Sequence, residues 1–133
     1  MTSSRDFLEE RLRAFESAQG DLKLSLCGGS SPSAPLMLEL DGALDGANSD
    51  SFREFASLAL AESRSSGGLV LGLARLRYIS STGVGALVNI LSESMRSGPA
   101  LYLKGISPSL RVLFEALGFS RIFSILDAEG GAT

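Results

Sequence analysis

Histidine and tryptophan are absent from the 133 residues, and cysteine occurs once. Without imidazole there is no Ser-His-Asp or Cys-His catalysis and no histidine ligand for zinc or haem. The one cysteine, Cys27, can neither close an internal disulfide nor build a thiolate metal cluster. Carboxylates could still hold a hard cation, but no Asp-x-Asp-x-Asp-Gly loop occurs. Long apolar runs are missing too. None approaches the roughly 20 residues of a membrane span, and the opening MTSSRDFLEERL has no signal-peptide apolar stretch. These absences remove most hydrolytic and redox chemistry. The expectation is a soluble, cytoplasmic, non-catalytic domain with no membrane insertion, metal or cofactor.

What is present suits one small domain. Apolar side chains make up 44% of the chain and charged ones 20%, enough for a core and too little charge for a disordered polyelectrolyte. The net charge of −3 is unevenly divided. Residues 1–62 carry five basic and eleven acidic side chains, and residues 63–133 carry seven and four. The basic residues are scattered, so no nucleic-acid partner is expected.

Apolar spacing gives the elements in turn. Leu8, Leu12 and Phe15 mark an amphipathic helix from Ser4 to about Ala18, ended by Gly20. DLKLSL alternates as a half-buried strand does, CGGSSPSAP (27–35) reads as a flexible connection, and LMLEL (36–40) alternates again. After the turn DGALDGAN, a helix starts near Asn48 or Ser49 with Phe52, Phe55, Ala56 and Ala59 inward and Ser51-x-x-Glu54 as a capping box. SSGG (65–68) stops it, and LVLGL (69–73) reads as a central strand covered on both faces. Past RYISSTG, a helical stripe runs through Val84, Leu87, Val88, Leu91 and Met95. ALYLK (100–104) is a strand. Ser107-Pro108 then caps a helix with Leu110, Leu113, Phe114 and Leu117 inward and Gly118 at its end. IFSIL (122–126) is the last strand.

The order α-β-β-α-β-α-β-α-β implies an antiparallel pair followed by parallel crossovers. The fold class is α/β, a mixed sheet of about five strands with packed helices. The expected division is an N-terminal helical extension (1–20), the sheet domain (21–126) and a flexible tail (127–133). The extension reads as a cover for apolar surface or as a homodimer contact.

Function is expected at Tyr78-Ile79-Ser80-Ser81-Thr82-Gly83-Val84-Gly85, which joins a strand's C-terminal end to a helix N-terminus. Three consecutive hydroxyls stand there, and a phosphate on one of them would meet unpaired N–H groups. Ser and Thr are also the ordinary N-cap residues, so the residues alone leave both readings open. Gly83 and Gly85 do not make a dinucleotide loop, because Val88 holds the third glycine position and no acid follows at the right distance. No Gly-x-Ser-x-Gly elbow is present.

In order and spacing, Ser81-Thr82-Gly83-Val84-Gly85, Ile106-Ser107-Pro108 and Leu117-Gly118-Phe119 resemble the second half of a STAS domain, the fold of bacterial anti-sigma factor antagonists. LELDGALDGANSDSFREF resembles the strand-turn-helix before it. The resemblance covers about residues 36–126. It implies a phospho-acceptor at Ser81, with Ser80 and Thr82 as alternatives. It also implies a partner-binding face of Asp45, Asn48, Ser80, Ser81, Thr82, Gly83 and Val84. The implied partners are an anti-sigma factor of the serine-protein kinase type and a PP2C-type phosphatase; the alternative is a non-phosphorylated STAS subunit of a signalling scaffold or transport complex. Two positions depart from the pattern: Ser80 and Gly72 stand where the family carries acids.

Overall fold

The computed structural model describes residues 4–18, 21–31, 34–116 and 124–126. The element order is α1 (Ser4–Ala18), β1 (Leu22–Ser31), β2 (Ala34–Leu44), α2 (Ser49–Glu62), β3 (Leu69–Ile79), α3 (Ser81–Ser97), β4 (Leu101–Lys104), α4 (Pro108–Ala116) and β5 (Ser124–Leu126). One five-stranded sheet has the order β1-β2-β3-β4-β5, with β1 antiparallel to β2 and the other pairs parallel. This is the mixed α/β sheet expected from the alternation of elements. Leu117, Gly118, Ile122 and the tail lie outside the described residues.

Alternation along the strands sorts the two faces of the sheet. Leu22 and Leu24 of β1, Leu36, Leu38, Leu40 and Leu44 of β2, Leu69, Leu71 and Leu73 of β3, and Leu101 and Leu103 of β4 join the helices in one core. Helix α1 is part of it. Leu8 is 1% exposed and Phe15 is also buried, packed with α2 and β1. Each buried side chain of this size contributes roughly 1.5–3 kcal/mol of apolar transfer.

The other face carries Lys23, Glu39, Asp41 and Arg75, of which Lys23 and Arg75 are exposed and Glu39 and Asp41 half-buried. All five residues of LVLGL are nonetheless buried, as the reading of a central strand covered on both faces expects. On the polar face Val70 is 3% exposed without belonging to the core cluster. Its cross-strand neighbours Met37 and Tyr102 flank it on that face. Arg75 meets Glu39 at 3.5 Å and Asp41 at 3.9 Å, and Arg77 meets Asp41 at 3.6 Å.

Five local expectations are corrected. Most of the stretch read as a flexible connection is strand, because β1 runs to Ser31 and β2 starts at Ala34; residues 32 and 33 lie outside the described residues. The register shifts between Gly28 and Ser31, and Gly28 has φ +76, a left-handed conformation in which a side chain would meet the Pro35 carbonyl. The strands β2 and β3 also extend further than their apolar runs, to Leu44 and Ile79. Helix α2 is not opened by a Ser51–Glu54 box. Asn48 is the N-cap and makes no side-chain cap bond, which places Ser51 inside the first turn. Nor does SSGG stop α2. It ends at Glu62, before a 3-10 turn at 63–65 in which Ser63 Oγ donates to the Leu60 carbonyl at 2.6 Å.

The fifth correction is Met95, which is 72% exposed. The buried face of α3 centres on Leu87, Ile90, Leu91 and Ser94, about a quarter-turn from the apolar stripe read in the sequence. A polar residue at a core position hid this. Ser94 is buried because its hydroxyl donates to the Pro99 carbonyl at 2.6 Å. At α4 the sequence reading stands: Ser107 Oγ accepts from the Leu110 N–H at 3.2 Å, with Pro108 at the first helical position.

Candidate functional site

The C-terminal ends of β2 and β3 are neighbours, with Leu44 opposite Ile79. The Leu44 carbonyl accepts from the Ser80 N–H at 2.9 Å, tying the start of α3 to the end of β2. Gly83 completes this join. A Cβ there would stand 2.7 Å from the Leu44 oxygen and 2.8 Å from Ile79 Cγ1, so only glycine lets the first turn of α3 lie this close.

Of the three hydroxyls, Ser80 is the cap. Its backbone is extended, and its Oγ accepts from the Gly83 N–H at 3.1 Å. Ser81 and Thr82 are the first two helical residues, and both are exposed. Among the described residues neither hydroxyl has a hydrogen-bond partner, and neither backbone N–H meets a protein acceptor. Exposed hydroxyls thus stand beside free donors at the positive end of a seventeen-residue helix.

The turn after β2 lies alongside. Asp45 accepts from the Ala47 N–H at 2.9 Å and donates its own N–H to Asn48 Oδ1 at 3.0 Å. Asn48 Nδ2 donates to the Ala43 carbonyl at 2.9 Å, and Ser49 Oγ donates to the Asp45 carbonyl. With 3% exposure, Asn48 is an internal brace for this turn.

The seven residues of the expected partner face are therefore together but at two depths. Asp45, Ser80, Ser81 and Thr82 reach the surface, whereas Asn48, Gly83 and Val84 lie beneath and hold its shape. Tyr78, given no role from the sequence, is 57% exposed and pairs with Ala43. Its signal was available: Ile79 turns inward next to the cap, so strand alternation turns Tyr78 outward.

The two departures from the STAS pattern have local explanations. Serine caps as well as aspartate does, so Ser80 keeps the cap and removes a charge. Gly72 lies opposite Glu39, seven residues before Ile79 and on the order of 20 Å along the strand from the site. A Cβ there would stand 3.4 Å from Glu39 Cγ and 3.5 Å from its Oε2, so an aspartate would face a second carboxylate.

Among the described residues no group of three or more His, Cys, Asp or Glu could hold a metal ion, and no helix is long and apolar enough to cross a membrane. The STAS domain profile matches residues 30–132. The chain belongs to the STAS domain family. BtrV of Bordetella bronchiseptica, assigned to the anti-sigma factor antagonists, is 30% identical over 93 residues, covering 70% of this chain and 78% of BtrV. The phosphorylated form of the Bacillus cell-fate determinant SpoIIAA has the same fold. Its TM-score is 0.60 at 22% identity, covering 79% of this chain and 90% of SpoIIAA. A sulfate transporter family protein of Wolinella succinogenes shares the fold too, with a TM-score of 0.56 at 19% identity, covering 69% of this chain and 75% of that one. The STAS match begins after α1, yet α1 contributes Leu8 and Phe15 to the same core.

Proposed function

We propose that this STAS domain is a protein-binding module gated by phosphorylation of Ser81. Unmodified, it binds an anti-sigma factor of the serine-protein kinase type in the cytoplasm and so frees a sigma factor; a PP2C-type phosphatase resets it. The observation that carries this reading is the division of labour between neighbours. Ser80 is committed to capping α3, and the Ser81 hydroxyl beside it is exposed and unengaged. A phosphate there adds about −1.5 to −2 charges to the contact surface. Like-charge repulsion and desolvation then cost several kcal/mol, about two orders of magnitude in affinity. Contact is made by Asp45, Tyr78, Ser80, Ser81 and Thr82, over the buried frame of Asn48, Gly83 and Val84. The module performs no catalysis itself.

The test is affinity for the anti-sigma kinase, measured with the wild type, Ser81→Ala and Ser81→Asp. Tight binding by the alanine variant and weak binding by the aspartate variant is expected; equal tight binding by both refutes the gate. A second reading, an unmodified STAS subunit of a signalling scaffold or transport complex, is favoured by the missing acids at Ser80 and Gly72. Intact mass of the protein from its own host, before and after phosphatase, separates the two.

A further inference from the structure

A surface cleft of about 470 Å³ lies between α2 and α3, lined by Arg53, Asn89, Ser92, Glu93 and Arg96. Its charges are not balanced from within. The Glu93 carboxylate is engaged by Ser57 of α2, whose hydroxyl lies 2.6 Å from Oε2 and 2.9 Å from Oε1. Arg96 Nε donates to the Ser92 carbonyl at 3.4 Å. Among the described residues neither Arg53 nor Arg96 has a carboxylate partner, whereas Arg75 and Arg77 on the polar sheet face both do. Two guanidiniums thus outweigh the one carboxylate in the lining, which leaves a net positive charge beside a side-chain amide and a hydroxyl, and guanidiniums match carboxylates in forked geometry.

The place of the cleft indicates what fills it. Ser81, Gly85, Asn89, Ser92 and Arg96 recur at helical spacing and form one exposed stripe along α3. At about 1.5 Å per residue, Asn89 lies about 12 Å and Arg96 about 22 Å from Ser81. A standard footprint of about 800 Å² is a disc of roughly 16 Å radius, so one centred on Ser81 reaches Asn89, and one displaced along α3 by about 6 Å takes in both Ser81 and Arg96. Met95, exposed next to Arg96, adds apolar surface at the far end.

We propose that the cleft receives an acidic segment, a pair of Asp or Glu side chains, of the protein partner that docks over Ser81. This rests on the reading of the Ser81 face as a partner surface and adds the chemistry of the partner at its far end. The cleft supplies steady attraction, and the Ser81 phosphate supplies the repulsion that overrides it.

The experiment is titration calorimetry of the anti-sigma kinase against the wild type, Arg53→Gln/Arg96→Gln and Arg53→Glu/Arg96→Glu, at low and near-physiological salt. The glutamine pair should weaken binding roughly tenfold, the glutamate pair more, and both should flatten the salt dependence. Unchanged affinity in both double variants, with the wild type binding tightly, overturns the acidic-segment proposal and leaves docking at Ser81 intact. No binding by the wild type overturns both. Inorganic phosphate is the control for a free anion. Chemical-shift changes at Asn89 and Ser92 that vanish in the double variants, with kinase affinity unaltered, assign the cleft to a small anion and overturn the proposal.

Discussion

The hydroxyl of Ser80 accepts the backbone N–H of Gly83, so α3 is capped by the residue before the exposed Ser81 and not by Ser81 itself. The two serines should therefore differ in what their hydroxyls contribute to stability. Ser80→Ala removes the cap acceptor and should cost about 1 kcal/mol of stability. Ser81→Ala should change stability by less than about 0.5 kcal/mol. Ser80→Asp, which restores the acid of the family pattern, should fold as stably as the wild type. Urea unfolding of the three variants checks the assignment, and a larger loss at Ser81→Ala than at Ser80→Ala would show that the cap has been placed on the wrong residue.

A negative charge at Ser81 should strengthen the fold while it weakens the complex. The first turn of α3 presents N–H groups and the positive end of the helix, which favour an anion by roughly 0.3–1 kcal/mol. Ser81→Asp is expected to raise the melting temperature by about 1–4 °C and to lower kinase affinity in the same preparation. The combination excludes unfolding as the cause of lost binding. A lower melting temperature would mean that the N–H groups of this turn are not available to the added charge.

Gly83 and Gly85 look alike in the sequence and should respond with opposite signs. At Gly83 a methyl group meets the Leu44 carbonyl and Ile79, so Gly83→Ala should cost about 1–3 kcal/mol and displace the loop that carries Asp45. At Gly85 nothing lies within 4 Å of an added Cβ. Gly85→Ala should stabilise by roughly 0.5–1 kcal/mol, the helix-propensity difference between the two residues. Thermal unfolding of the two single variants separates packing from propensity.

The elements set by local chemistry were readable in the sequence. Ser107-Pro108 caps α4 as its spacing indicates, and α1 spans Ser4–Ala18, as the spacing of Leu8, Leu12 and Phe15 indicates. Features set by distant partners were not. The strand residues 27–31 and 34–35 are set by β1–β2 pairing with a register shift between Gly28 and Ser31, which their Gly, Ser and Pro content conceals. Three adjacent hydroxyls are equivalent as caps until the bond from the Ser80 N–H to the Leu44 carbonyl fixes the register. Arg53 and Arg96 belong to different helices, and no sequence spacing brings them to one cleft.

Helix α1 lies ahead of the matched STAS region but shares its core. Leu8→Ala should therefore destabilise the isolated domain by about 2–5 kcal/mol, the range for a buried leucine that leaves a cavity. Phe7→Ala, at a residue 42% exposed, should have a much smaller effect. Comparing the two by denaturant unfolding at several protein concentrations tests the arrangement. If α1 served as a subunit contact alone, the Leu8 effect would disappear on dilution, whereas an intrachain core element predicts a loss independent of concentration.

Restoring the family's second acid should be unfavourable in this chain for a reason confined to one pair of neighbours. Gly72→Asp places a carboxylate against Glu39, which already shares Arg75 with Asp41. Like charges placed side by side on neighbouring strands, one at the buried position of Gly72 and one on half-buried Glu39, should lower stability by roughly 0.5–1 kcal/mol or more at neutral pH. Part of that loss should disappear in Gly72→Asp/Glu39→Gln, where the repulsion is removed while the added side chain remains. A double-mutant cycle by urea unfolding measures the coupling directly. Equal destabilisation with and without the Glu39 charge would assign the effect to the new side chain's volume on the strand and not to the carboxylate it faces.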